Sequence, residues 1–125
     1  MFSLKRLFRS FQYAWQGLRY VWQNEQNFRI QIGIACIVVL AMLIFHIKLG
    51  EAIILTMMII FVLVLEVVNT IFEKMVDILK PRLHTYVAVI KDMMAAGVFI
   101  AAAGSLVVGA MVFIPYCLEL IHLLQ

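Results

Sequence analysis

The sequence predicts an all-α integral membrane protein: three transmembrane helices plus an N-terminal amphipathic helix lying in the membrane interface. Three observations carry this expectation. First, 66% of the 125 residues are hydrophobic and the mean hydropathy is +1.06, whereas a water-soluble domain is nearer half apolar. Second, the chain contains long apolar runs broken by short polar stretches. Third, its first segment alternates greasy and basic residues at helical spacing. A span needs roughly 20 residues, so this length suits one domain, residues 1–125, with three crossings.

The opening segment, residues 1–26, places Leu4, Leu7, Phe8, Phe11, Trp15, Leu18 and Trp22 three or four positions apart. Lys5, Arg6, Arg9, Gln12, Gln16 and Arg19 fill the gaps. A signal peptide needs an unbroken apolar centre and a small-residue cleavage site, and this segment has neither. A basic helix with Trp and Phe on its apolar face suits the membrane surface. The first span is expected over about 30–47, followed by a turn at "KLGE". The second is expected over about 52–72, its helix continuing through an acidic stretch to about Leu79. Lys80-Pro81 should end it, because proline disfavours helix in the residue before it. A third helix should begin near Thr85, enter lipid near Met93 and leave around Ile114-Pro115, so that its span covers about 93–114 and "YCLELIHLLQ" follows as a tail.

Lys and Arg set the orientation. Lys5, Arg6, Arg9, Arg19 and Arg29 precede span one, and Lys74, Lys80, Arg82 and Lys91 flank the connection between spans two and three. Only Lys48 lies between spans one and two. Three crossings put both basic regions on one side, which the positive-inside rule makes cytoplasmic. The net charge of +3 is too small and too scattered for a nucleic-acid surface. Cys36 and Cys117 have no partner at metal-ligand spacing and read as small apolar fillers.

The polar residues of span two are the unexpected feature. At about 100° per residue, Glu66, Asn69, Glu73 and Asp77 fall at about 0°, −60°, −20° and +20°, one narrow stripe. At about 1.5 Å per residue, Glu66 lies roughly 21 Å from Ala52, some 9 Å inside a slab about 30 Å thick. A membrane-buried acid costs about 2.5 to 3.5 kcal/mol on the insertion scale, and a Leu or Ile returns only about 0.3 to 0.6. Glu66 should therefore face the bundle, a cavity or a partner subunit. Asp77 also fits a merely solvated helix end.

Glu25, in "WQNEQNFR", lies at the junction of the surface helix and span one, where it can meet Glu73 at the cytoplasmic boundary. Paired carboxylates there suit a hard cation such as Mg²⁺. Lys91-Asp92 adds a cation and another acid at the start of span three. Mg²⁺, a lysine and a deeper carboxylate are parts that phosphoryl transfer uses, with a nucleotide arriving from water and a lipid alcohol from the bilayer. Spacing alone leaves this as one option among several. No P-loop, D-F-G or glycine-rich phosphate loop is present.

"EVVNTIFEKMVD" resembles the signature E-x-x-N-[ST]-x-x-E-x-x-x-D of the prokaryotic diacylglycerol kinase family, which includes the undecaprenol kinases. The resemblance extends to "WQGLRYVWQNEQNFR" and "KDMMAAGV", in register along nearly the whole chain. It implies a homotrimer in the bacterial plasma (inner) membrane that moves the γ-phosphate of ATP to a lipid hydroxyl, with active sites shared between subunits. By motif, Glu66 would be the general base and Asn69 its polar neighbour, while Glu25 and Glu73 would hold Mg²⁺. Asp77, Lys91, Asp92 and Arg6 would lie on the nucleotide side, and Trp15, Asn24 and Arg29 would line the site. The chain departs from the family pattern at Ile71, at Tyr86 and Val87 in "HTYVAVIKD", and at Met94. "WQGLRYVWQNEQNFR" looks closer to the Gram-negative diacylglycerol kinases, whereas "NEQNF" with "GAMVFIP" is similar to the Gram-positive undecaprenol kinases.

Weaker signals read plainly. His46 and His122 suit interface positions, and His84 precedes the third helix near the nucleotide side. Gly97, Ala101, Ser105 and Gly109 form a small-residue ladder of the kind that lets helices pack closely. Two other readings of the acidic stripe are a proton-coupled small transporter, with Glu66 as carrier, and a non-catalytic assembly subunit joined through its polar residues. The first explains one deep acid but not the row that follows it to the cytosol.

Overall fold

The structure, a computed structural model, describes residues 3–79 and 84–124, with only the backbone of His84 and Thr85. Four helices account for it: α1 (Leu4–Asn24), α2 (Gln26–Ile44), α3 (Leu49–Leu79) and α4 (His84–Leu123).

The expected surface helix and first span meet at a single extended residue. Glu25 has φ −108° and ψ 112°, so α1 stops at Asn24 and α2 starts at Gln26. The joint is held by side chains, because the last carbonyls of a helix have no N–H of their own. Arg29 donates from Nη1 to the Trp22 carbonyl at 2.8 Å and the Gln23 carbonyl at 3.3 Å. Asn24 Nδ2 donates to the Tyr20 carbonyl at 2.8 Å. A guanidinium at the negative end of α1 also complements the helix dipole. The joint thereby fixes where Glu25 sits.

Span one is shorter at its far end than hydropathy predicts. Its helix ends at Ile44, where His46 takes φ 49°. The Ile47 N–H bonds to the Met42 carbonyl at 3.1 Å and the His46 N–H to the Leu43 carbonyl at 3.4 Å. This pair of bonds is a Schellman cap, usually built on glycine, with histidine in the left-handed position. The next helix then begins at Leu49, three residues earlier than the expected Ala52, with Glu51 in its first turn near the positive end of the helix dipole.

α3 has 31 residues, about 46 Å, against a hydrocarbon slab of about 30 Å. It therefore carries its acidic end out of the slab as an unbroken helix. The expected stop at Lys80-Pro81 lies outside the described residues. α4 begins at His84, close to the expected Thr85, and stays helical past the expected exit from lipid at Ile114-Pro115. Pro115 lies inside a helix of 40 residues that runs to Leu123, so the expected tail is helical. Proline removes one backbone hydrogen bond there, and the flanking turns carry the helix through.

α3 is central and packs against both α2 and α4, while α1 makes its main contacts with α2. The residues of α3 that are buried, Leu55, Val62, Glu66, Asn69, Thr70 and Val76, share one face: apolar in its first half, polar in its second. α1 buries only Val21, as expected of a helix resting on a membrane surface. Three helices are long and apolar enough to cross a bilayer, and this makes the chain a multi-pass membrane protein. Within their apolar windows only 6%, 11% and 6% is buried inside the chain, so lipid or neighbouring subunits must cover the rest. The small-residue ladder is not a close-packed seam throughout. Ala101 is buried, but a Cβ added at Gly97 or Gly109 would meet nothing within 4 Å.

Candidate active site

The polar stripe of α3 is graded in depth. Glu66 is 2% exposed and Asn69 8%, Glu73 is half-buried and Asp77 exposed. A carboxylate so deep needs a partner, since an unpaired buried charge is strongly disfavoured. Its partner is an amide rather than a cation. Gln31, one turn and a half into α2, donates from Nε2 to Glu66 Oε2 at 3.1 Å. Thr70, itself 2% exposed, donates its hydroxyl to the Glu66 carbonyl at 3.0 Å.

The next turn down continues the polar row. Asn69 Nδ2 donates to Glu73 Oε1 at 3.3 Å, which directs the Glu73 carboxylate along the helix. Glu25, from the α1–α2 joint, and Glu73 both act electrostatically on Glu66. Glu25 at the joint and the two α3 acids are therefore electrostatically linked through Glu66. Further toward the end of α3, Asp77 Oδ1 and Lys91 Nζ form an ion pair at 2.7 Å, both side chains part-exposed. This pair ties α3 to α4 at the water-facing edge.

Two acceptors in this region are left open. Gln31 Oε1 and Asn69 Oδ1 are buried and have no hydrogen-bond partner among the described residues. An unsatisfied buried acceptor costs about 1–3 kcal/mol, a cost that a bound donor or cation would relieve.

Not every expected residue joins this group. Arg6 and Trp15 lie exposed along α1, which makes its main contacts with α2 rather than with the acidic helix. Asn24 and Arg29 serve the α1–α2 joint through the bonds given above. Asp92 is exposed beside the Lys91 pair. Gln31 and Thr70 were not among the expected site residues. Gln31 had a visible signal, an isolated amide in the apolar run "IQIGIACIVV". Among the described residues, no group of three or more His, Cys, Asp or Glu side chains is gathered closely enough to hold a metal ion. Any ion at Glu25 and Glu73 would have two carboxylates at most from this chain. Mg²⁺ is commonly bound in that way, with substrate phosphates and water completing its shell.

A profile of the prokaryotic diacylglycerol kinase family matches residues 12–113. The chain belongs to the prokaryotic diacylglycerol kinase family. It is similar to a diacylglycerol kinase of Synechocystis sp., 31% identical over 112 residues, covering 89% of this chain and 64% of the relative. It is similar as well to an undecaprenol kinase of Bacillus subtilis, 30% identical over 113 residues, covering 90% and 92%. A diacylglycerol kinase of Escherichia coli is 33% identical over 99 residues, covering 77% and 79%. The chain thus spans just under two thirds of the Synechocystis relative and most of the other two. This is a family of membrane lipid kinases, and the matched residues run from the α1 surface helix into the far half of α4.

Proposed function

We propose that this lipid kinase transfers the γ-phosphate of ATP to the hydroxyl of a membrane lipid alcohol, either diacylglycerol or undecaprenol. The single observation that carries the reading is the burial of Glu66, held by an amide, at the deep end of a polar row that reaches the water-facing edge. The two reactants come from opposite solvents, and this row joins them.

Glu66 acts as the general base. It accepts the proton of the lipid hydroxyl as that oxygen forms its bond to the γ-phosphorus and the bond to the bridging oxygen of the departing ADP breaks. Gln31 holds the Glu66 carboxylate in orientation. Asn69 holds Glu73. Lys91, pinned by Asp77, presents a fixed positive charge to the phosphates, with Asp92 and Arg6 on the same nucleotide side and Trp15, Asn24 and Arg29 lining it. Glu25 and Glu73 are the residues that would hold Mg²⁺, and the oxygen-only donor set, with the open Asn69 Oδ1 close by, fits a hard cation. When bound, the ion supplies charge neutralisation at the phosphate oxygens.

Arg6 and Trp15 are exposed along α1, whose main contacts are with α2, which supports a site completed by a neighbouring copy. The assembly proposed is a homotrimer with shared sites. The distribution of Lys and Arg supports a bacterial plasma membrane location with the N-terminus and the α3–α4 connection cytoplasmic. Membrane preparations given γ-labelled ATP, Mg²⁺ and each lipid alcohol test the reading. Label should enter the lipid with wild type and not with Glu66→Gln; proton flux without label would favour transport instead.

A further inference from the structure

Glu25 interrupts what would otherwise be one long helix, with φ −108° and ψ 112° between α1 and α2. It lies between Val21 and Phe28, each 5% exposed and the only buried residues of α1 and α2 among those described. Away from this joint α1 is exposed along its length, so the joint sets where α1 points and where the Glu25 carboxylate lies. That carboxylate acts electrostatically on Glu66 of α3. The last regular bond of α1 runs from the Glu25 N–H to the Val21 carbonyl at 2.8 Å. In an unbroken helix the next two carbonyls, of Trp22 and Gln23, would accept the N–H groups of Gln26 and Asn27. The break takes those partners away. Arg29, one turn into α2, supplies both bonds from a single nitrogen, Nη1, at 2.8 and 3.3 Å. One guanidinium thus replaces the two backbone bonds that the break costs.

We propose that Arg29 is a positioning residue for the metal-binding carboxylate: by occupying the Trp22 and Gln23 carbonyls it holds the helix broken at Glu25 and keeps that side chain turned toward the acidic row of α3. The inference rests on the reading of Glu25 as a Mg²⁺ ligand in a lipid kinase. Without the guanidinium two carbonyls lack their bonds, and the joint regains them by closing into helix through Glu25. Closure swings α1 and carries the carboxylate away from its place. Arg29 therefore serves the ion through the backbone and needs no contact with ion or nucleotide. Lysine would keep the charge at the negative end of α1 but not the rigid, planar pair of donors.

The test reads metal binding directly. Purified protein in detergent is titrated with Mn²⁺, standing in for Mg²⁺, together with a non-hydrolysable ATP analogue, and bound Mn²⁺ is followed by electron paramagnetic resonance. Arg29→Met should weaken Mn²⁺ binding by about tenfold, the usual loss for a group that orients a metal ligand, with the lipid KM as in wild type. In a Glu25→Ala background the same substitution should cause no further loss, because nothing is left to position. Arg29→Lys should bind Mn²⁺ less tightly than wild type. Unchanged affinity in Arg29→Met overturns the proposal. So does a further loss on top of Glu25→Ala, which would mean direct contact with the ion or the nucleotide. Wild-type affinity in Arg29→Lys would reduce the role to charge and overturn the paired bonds. Should Arg29→Met not fold, Arg29→Lys is carried through the same two comparisons and decides. Failure of the underlying reading shows separately, as Glu25→Ala binding Mn²⁺ like wild type or as wild type placing no label from ATP in lipid.

Discussion

The two ends of α3 handle polar groups in opposite ways. At the Glu51 end, Tyr116 donates its hydroxyl to Glu51 Oε2 at 2.5 Å, and the Tyr116 hydroxyl oxygen accepts the Lys48 N–H at 3.3 Å. Phe45 packs beside this group, with ring centroids 6.1 Å from Phe113 and 6.4 Å from Tyr116. The loop, α3 and α4 are clasped together, and the bonds close on themselves. At the Glu66 end the row is longer and deeper, and Gln31 Oε1 and Asn69 Oδ1 are left without partners among the described residues. Polar groups that only hold helices together can be satisfied within the fold, whereas groups that must receive a ligand keep capacity in reserve. On the proposed reading, the satisfied end is structural and the open end is chemical.

Mutations should sort along that division. The largest effect is expected for Glu66→Gln, a drop of about 10²- to 10⁴-fold in kcat, the usual range for losing a general base. Label entering lipid measures it, and near-normal turnover would move the chemistry elsewhere. Glu73→Ala and Glu25→Ala should each raise the Mg²⁺ concentration for half-maximal activity by about tenfold or more, since even groups that merely orient a metal ligand cost about that. Unchanged metal titrations would remove both as ligands. Asp77→Asn frees Lys91 at a part-exposed pair, so the KM for ATP should change by only about two- to fivefold, with the lipid KM unmoved. Tyr116→Phe should have the smallest effect on turnover, leaving kcat as in wild type while lowering the thermal midpoint in detergent. A loss of activity there without a loss of stability would erase the distinction between the two ends.

The depth of the polar stripe was legible in the sequence because helical geometry is local: Glu66, Asn69, Glu73 and Asp77 align whatever surrounds them. So were the three apolar spans and the basic surface helix. The element ends were less so. Hydropathy ran span one to Ile47, yet a histidine took the left-handed capping position that glycine normally marks, and α2 stopped at Ile44. Pro115 marked the expected exit from lipid, and α4 continued through it as helix. A small-residue ladder reads equally as a tight seam or as the wall of a space, because its spacing does not say what lies opposite. At Gly109 it is a wall.

By itself the sequence determined the membrane class, the number of spans, the stripe of acids and the family, all of which follow from composition, helical period and motif. Tertiary structure alone decided that Gln31 is the side chain facing Glu66, that Asp77 meets Lys91, and that Tyr116 closes the opposite end. Those are contacts between helices 14 to 65 residues apart in the chain. Their existence depends on how α2 and α4 are rotated and set in depth against α3, which no periodicity within a single helix can specify.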